Sequence, residues 1–305
     1  MATTLTMGPR TWAELSLLSL IWGGTFLSVK VALSEMGPLT VVAHRVGWAS
    51  LVLWAVILAR RLPIALSGRA LLGFLGMGLL NNALPFTLQA WGQLHIETGL
   101  TAILNAGTAI WGVLIAALFF GDERLTLARL VGVTLGFLGV ATAIGLGSLA
   151  ALDLLSLGQM AVIASTISYA FAGAWARKML AGIAPMVQAA GMLTASSLIM
   201  IPLAWHMEGP LSLDLAIETW RAVAYLTLVA TAGAYLLYYR VLAAAGSGNL
   251  MLCTLLIAPV AIVLGAVFLG EALLPRAFVG FAILAVGLFI LSGRAAPLFG
   301  VRAPR

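Results

Sequence analysis

Charged residues are scarce in this chain of 305 residues: they make up 9% of it, against 62% hydrophobic residues. A soluble globular domain carries roughly 25% charged and 45–50% apolar residues. A chain with so few charges cannot cover a water-facing surface, which excludes two soluble domains, a coiled coil, collagen and disorder. The mean hydropathy of +1.11 instead predicts an all-α integral membrane protein that contacts the lipid bilayer.

Cysteine and catalytic motifs are scarce as well. Cys253 is the single cysteine and lies in an apolar run, so an internal disulfide and a Cys-based metal site are excluded and a buried thiol is expected. The net charge of +6 is scattered through short loops, unlike the basic patch of a nucleic-acid-binding protein. No phosphate-binding loop and no HExxH motif occur. We therefore expect no cofactor, no metal, no nucleic-acid partner and no enzymatic activity.

Long apolar runs dominate the chain, and each one approaches the 20 or so residues that a helix needs to cross a bilayer. Polar and Pro/Gly turns separate ten of them. The predicted spans are 12–33, 38–59, 70–91, 98–120, 127–147, 156–178, 185–205, 219–241, 247–269 and 276–293.

The distribution of basic residues predicts the orientation. With the N-terminus in the cytoplasm, twelve of the sixteen Lys and Arg residues fall in cytoplasmic segments and three fall outside. Cytoplasmic loops carry the excess of Lys and Arg in membrane proteins. We expect a multi-pass protein of the inner membrane with both termini in the cytoplasm.

The two halves of the chain align when it is shifted by 147 or 148 residues. Pro38 then falls on Pro185, and the Gly-Glu turn of the first half falls on that of the second. Each half has five spans, and because five is odd, the second half enters the membrane from the opposite side. The sequence predicts two inverted five-helix repeats, 1–147 and 148–305, an arrangement that suits alternating access to a midplane cavity.

Five short motifs are spread over the whole chain, and their combination is specific. They are LIWGGTFLSVK (20–30), His44-Arg45, Gly121-Asp-Glu-Arg-Leu125, Gly270-Glu-Ala-Leu273 and Ala258-Pro259-Val260. Together they resemble the EamA family of the drug/metabolite transporter superfamily, and within it the bacterial exporters of aromatic and other neutral amino acids. The resemblance implies export of a small metabolite.

Polar and aromatic side chains inside the spans are candidates for substrate binding. A rise of about 1.5 Å per residue places Trp22 about 15 Å deep, with Asn81 and Asn82 at a similar depth. Adjacent carboxamides point about 100° apart on a helix, so one of the two is expected to face the bundle interior. Binding an amino acid and bonding between helices both remain open for them. The predicted binding residues are Trp22, Arg45, Asn81, Asn82, Asn105, Trp111, Tyr169, Trp175 and Tyr235.

Arg45 is a charge inside a span, about 10 Å below the outer surface by the helical rise. Two readings stay open: it snorkels outward, or it attracts a substrate carboxylate into a water-filled cavity. Thr101, Asn105 and Thr108 share one face of the fourth span. We expect both threonine hydroxyls to bond their own backbone.

Acidic residues are absent from the span centres. Proton-coupled transporters commonly use an embedded carboxylate, so its absence predicts facilitated movement. Glu123 and Glu271 precede helix N-termini and are expected to cap the helices that follow them. Tyr238 and Tyr239 lie toward a span end and are assigned to an interfacial aromatic belt.

Small residues form stripes on two spans. Gly132, Gly136 and Gly139 are spaced four and three residues apart, and Gly280 and Gly287 partly repeat the pattern on the last span. Such stripes let helices approach closely. We read them as scaffold, with a monomer as the expected state.

The sequence as a whole predicts a ten-helix inner-membrane exporter of small neutral metabolites, with amino acids, aromatic and other neutral ones, as the leading substrate class. Its mechanism is alternating access without proton coupling. A flippase for a lipid-linked or polyprenyl-phosphate-linked substrate is the alternative, since it would need cationic groups for a phosphate and Arg45 supplies one.

Overall fold

The computed structural model describes residues 7–64, 67–147, 153, 156–269 and 274–291, with the side chains of these ranges except those of 98–99 and 264–269. Helices account for all the regular structure within these ranges. Glu271 and the second Gly-Glu turn lie outside the described residues.

The first half of the chain forms eight helical segments. These are α1 Pro9–Gly23, α2 Thr25–Ala32, α3 Pro38–Ala59, α4 Gly68–Met77, α5 Leu84–Gly92, α6 Thr98–Ala106, α7 Thr108–Phe119 and α8 Leu127–Ile144. A π-helical segment, Gly78–Ala83, joins α4 to α5 without a break. Pro85 comes just after this segment, where the sequence pattern predicts a distorted helix.

Within the described residues, the second half of the chain forms six helices and, like the first half, contains one π-helical segment. Its helices are α9 Leu157–Met179, α10 Pro185–Glu208, α11 Ile217–Ala224, α12 Ala234–Met251, α13 Cys253–Leu269 and α14 Pro275–Leu291, with a π-helical segment, Tyr225–Gly233, between α11 and α12. The two π-helical segments begin 147 residues apart, which is the offset at which the two halves of the sequence align.

Eight helical stretches of the described chain are long and apolar enough to cross a membrane, and Cys253–Val263 and Pro275–Leu291 are shorter apolar helices. The prediction of an all-helical, multi-pass membrane protein is confirmed. The count of ten spans and the inverted repeat stay predictions.

Charged side chains near the ends of helices make contacts between helices that are distant in the chain. At one end Glu208, which ends α10, accepts hydrogen bonds from the backbone N–H groups of Leu39 (3.0 Å) and Thr40 (2.8 Å) at the start of α3. At the other end Arg240 of α12 forms an ion pair with Glu14 of α1. Charged side chains thus link distant helices at both ends of the bundle.

The glycine stripes of α8 and α14 face each other, a pairing that the sequence analysis did not specify. A Cβ at Gly139 would lie 2.6 Å from the backbone nitrogen of Leu284, and one at Gly280 would lie 2.5 Å from the carbonyl oxygen of Gly139. A Cβ at Gly287 would likewise lie 2.7 Å from the carbonyl oxygen of Gly132. Backbone therefore meets backbone along this pair of helices, which is the close approach that small residues allow.

Gly246 breaks α12 near its end, with φ 83° and ψ 174°. This backbone region is essentially reserved for glycine. We predict that Gly246→Ala lowers the free energy of unfolding by about 1–3 kcal/mol, the cost of such strain. Denaturant titration in mixed micelles measures the change. Gly121→Ala is the control, because a Cβ there meets nothing within 4 Å; an equal loss in both variants would contradict the prediction.

Candidate functional site

A central cavity of about 70 Å³ lies between helices of both halves of the chain. That space holds about five water molecules. Six of the nine predicted binding residues line it: Trp22, Arg45, Asn81, Asn105, Tyr169 and Tyr235.

Aromatic rings form one wall of the cavity. The Trp22 ring lies 6.5 Å from that of Tyr235 and 6.2 Å from that of Tyr238, measured between centroids. The two tyrosine rings meet edge to face at 5.7 Å. The indole N–H of Trp22 donates to the carbonyl oxygen of Ala230 (2.9 Å), within the second π-helical segment. The ring of Trp22 is therefore held in place from the other half of the chain.

The adjacent asparagines have different positions. Asn81 lines the cavity, and its Nδ2 donates to the Tyr235 hydroxyl (3.0 Å). That hydroxyl donates in turn to Oδ1 of Asn82, whose Nδ2 donates to Oγ of Ser196 (2.8 Å). Asn82 is fully buried behind the cavity wall. Both amides therefore bond to other helices, and Asn81 is the one that also lines the cavity.

A second amide pair closes the opposite side of the cavity. Nε2 of Gln89 donates to Oδ1 of Asn105 at 2.7 Å, and both residues line the cavity. Gln89 was not among the predicted residues. It follows Asn81 by eight residues, about two helical turns along one face, and this spacing is the signal that could have identified it.

Arg45 is the charged residue of the cavity lining. Its Nε donates to Oγ1 of Thr231 (2.8 Å), in the second π-helical segment. The guanidinium carbon lies 3.7 Å from the centroid of the Phe86 ring, a cation–π contact. Only 6% of the residue is exposed, so the guanidinium does not snorkel to the surface and instead points into the bundle.

Three residues of the cavity lining carry hydroxyl groups without hydrogen-bond partners. Within the described part of the chain, Thr25 Oγ1, Thr108 Oγ1 and the Tyr238 hydroxyl are buried and make no hydrogen bond, and all three residues line the cavity. Buried polar groups normally find a partner. These three hydroxyls are therefore unsatisfied polar groups enclosed in the wall of the cavity.

Two sequence predictions are wrong at this point. Tyr238 and Tyr239 are 2% and 1% exposed, and Tyr238 lines the cavity, because α12 runs through the centre of the bundle. They do not belong to an interfacial belt. Thr101 bonds the carbonyl oxygen of Glu97 (3.1 Å) as expected, whereas Thr108 makes no such bond.

Two predicted binding residues lie away from the cavity. Trp175 of α9 donates its indole N–H to the carbonyl oxygen of Gly73 (3.2 Å), and its ring packs against Gly76. Trp111 is 36% exposed on the outer surface of α7. Sequence reasoning also missed lining residues on four helices, namely Thr25, Phe26, Phe86, Gln89, Leu250, Met251, Cys253, Thr254 and Ile257.

Glu123 forms a buried polar cluster at the end of the bundle where α7 stops. Its carboxylate is fully buried and accepts hydrogen bonds from the backbone N–H groups of Ser247 (2.9 Å) and Gly248 (2.7 Å). Arg177 forms ion pairs with Glu123 and with Asp122. The expected cap of the following helix is wrong, because Thr126 caps α8 and Glu123 instead caps the helical turn after Gly246.

Comparisons with known proteins match this architecture over nearly the whole chain. The model of the EamA-like transporter family matches residues 12–145 and again 156–293. A crystal structure of another protein covers 96% of this chain and 99% of its own, with a TM-score of 0.78 at 17% sequence identity, which shows a shared fold.

Two relatives of the chain are named as transporters. A "Probable terminal-alkyne amino-acid exporter" of Streptantibioticus cattleyicolor is 28% identical over 93% of each chain. A "Probable amino-acid metabolite efflux pump" of Escherichia coli is 25% identical over 90% of this chain and 92% of its own.

Proposed function

The chain belongs to the EamA-like transporter family, and we propose that it exports small neutral metabolites, with amino acids as the leading class, by alternating access. The observation that carries the proposal is the central cavity. Its lining combines one buried guanidinium, aromatic rings, carboxamides and hydroxyls without hydrogen-bond partners, contributed by both halves of the chain. Ligand sites typically combine an apolar wall with a few convergent polar groups in this way.

The proposed topology is ten spans in two inverted repeats, 1–147 and 148–305, in the inner membrane with cytoplasmic termini. Two observations support it. The π-helical segments begin 147 residues apart. The first contains the cavity residue Asn81, and the second accepts hydrogen bonds from the cavity residues Trp22 and Arg45. Basic residues also gather at the end of the bundle where α1 begins, as the positive-inside rule requires of a cytoplasmic face.

We propose facilitated transport without proton coupling. Among the residues that the structure describes, no Asp or Glu lines the cavity. The buried carboxylate of Glu123 is engaged by two backbone N–H groups and Arg177, at the end of the bundle. A relay for protons would need a carboxylate that the substrate pathway reaches.

Counterflow in liposomes tests both parts of the proposal. Purified protein is reconstituted with unlabelled neutral amino acids inside, and uptake of labelled amino acids is followed with and without a pH gradient. We expect saturable exchange of equal rate under both conditions. Absence of exchange by folded protein would overturn the amino-acid class and turn attention to lipid-linked substrates, and a strict need for the gradient would overturn facilitated transport.

Asn82→Ala is predicted to lower the rate of counterflow about tenfold, as loss of a buried hydrogen-bond partner of about 1.4 kcal/mol would do. The reason is that Asn82 accepts from the Tyr235 hydroxyl and so orients a cavity wall. Trp111→Ala is the matched control, since Trp111 lies outside the cavity. Equal losses in both variants would contradict the assigned position of the site.

A further inference from the structure

The charge balance of the cavity is uneven. Arg45 is a charged side chain in the lining, and the described lining residues include no Asp, Glu, Lys or His. Within the described part of the chain no carboxylate lies within ion-pair distance of Arg45. The cavity therefore holds an unneutralised cation.

Protein groups satisfy only part of this guanidinium. Nε is bonded to Thr231, and the plane of the group rests against the Phe86 ring. The described structure gives its two terminal amino groups no hydrogen-bond partner, and they are not among the enclosed unpartnered atoms. A guanidinium edge with two free N–H donors matches the two oxygens of a carboxylate.

Within the described lining no group carries a negative charge that could pair with an ammonium group. The uncharged polar groups there include the carboxamide oxygens of Asn81 and Gln89, which accept no hydrogen bond in the described structure, and the hydroxyls of Thr25, Thr108 and Tyr238. Hydroxyls donate and accept with similar ease, so they accommodate a hydroxyl, a keto group, an ammonium or water. Apolar rings of Trp22 and Tyr235 cover much of the remaining wall.

We propose that the site recognises its substrate by the carboxylate, held by Arg45, and that an α-ammonium group contributes little. The substrate class is then monocarboxylates with a small apolar side chain, which includes neutral amino acids and their analogues without the amino group. This proposal rests on the proposed function, because it assigns the chemistry of the same cavity.

Calorimetric titration of the protein in lipid nanodiscs near neutral pH tests the proposal with three ligands of one carbon skeleton. Leucine carries both charged groups, 4-methylpentanoate lacks the ammonium, and 3-methylbutylamine lacks the carboxylate; these groups keep their ordinary charges at that pH. We expect Kd values of leucine and 4-methylpentanoate within about threefold of each other, and binding of the amine at least about thirtyfold weaker, as loss of one charged partner predicts.

Substitutions at Arg45 and Arg60 test whether Arg45 binds the carboxylate. Arg45→Gln should weaken binding of both carboxylates at least about thirtyfold, whereas Arg60→Gln, an exposed residue just after the same helix, should leave it unchanged. Should Arg45→Gln fail to fold, Arg45→Lys serves, since a point charge without the planar fork should bind carboxylates more weakly than the original protein.

Several outcomes would overturn the proposal: the amine binds as well as leucine, 4-methylpentanoate does not bind, or the Arg45 variants behave like Arg60→Gln. Tighter binding of isobutyl phosphate than of 4-methylpentanoate would also overturn it, in favour of a phosphate site. Failure of leucine counterflow with carboxylate binding intact would refute the proposed transport of amino acids and leave the ligand chemistry standing.

Discussion

Glu123→Ala is expected to lower the free energy of unfolding by about 3–5 kcal/mol, the usual cost of breaking a buried ion pair from one side. The carboxylate has no exposed surface and accepts bonds from Ser247 and Gly248 at the helical turn after Gly246. Without it, two backbone N–H groups lose their acceptor and Arg177 keeps Asp122 as its acidic partner. Denaturant titration in mixed micelles measures the loss.

Asp122→Ala is the matched comparison for this prediction. Asp122 binds the same guanidinium, but 24% of its side chain is exposed, and exposed pairs are worth about 0–1 kcal/mol. Glu123→Gln adds a third point, because it keeps the size of the side chain and removes its charge. A drop after Glu123→Ala no larger than that after Asp122→Ala would show that the buried cluster does not stabilise the bundle.

The sequence identifies which polar and aromatic residues lie within the apolar spans better than it predicts the direction that each one faces. Trp22 and Asn81 were placed near the midplane by the helical rise, and both line the cavity. Trp175 was also predicted to bind the substrate, but its ring packs on Gly76. Depth follows from counting residues along an apolar run, whereas the facing direction depends on which helices surround the span.

The π-helical segments add a second reason. Each changes the phase of its helix by widening one or more turns, so side chains before and after it no longer follow one 3.6-residue pattern. Asn81 lies in one segment and Thr231, which binds Arg45, lies in the other. No sequence pattern predicted either π-helical segment, although Pro85 indicated that the helix is irregular near the first one.

Contacts between the two halves of the chain could not be predicted from the sequence either. Glu123 and Gly246 are far apart in the chain, and only the folded bundle shows that the carboxylate of one half caps a helical turn of the other. Close helix packing at the glycine stripes could be predicted, because it requires a regular spacing of small residues that is visible in the sequence. Their partner became clear only when α8 and α14 were seen face to face.

Gly280→Ala is expected to lower the free energy of unfolding by about 3 kcal/mol, the upper part of the range for overpacked cores. A Cβ at Gly280 would meet the carbonyl oxygen of Gly139 at 2.5 Å and backbone atoms of Ala143, so the whole helix must move to make room. The thermal unfolding midpoint and the yield of monodisperse protein measure the effect.

Gly136→Ala on the facing stripe is the sharpest control for this prediction, because its new Cβ would meet the end of the Leu255 side chain at 2.7 Å, and that end can rotate away. Alanine is also favoured over glycine in a helix by about 1 kcal/mol, which offsets the remaining crowding. We therefore expect Gly136→Ala to change stability by less than about 1 kcal/mol. Equal losses at the two positions would mean that contact between the backbones of α8 and α14 does not hold this pair together, and that the glycines there serve another purpose.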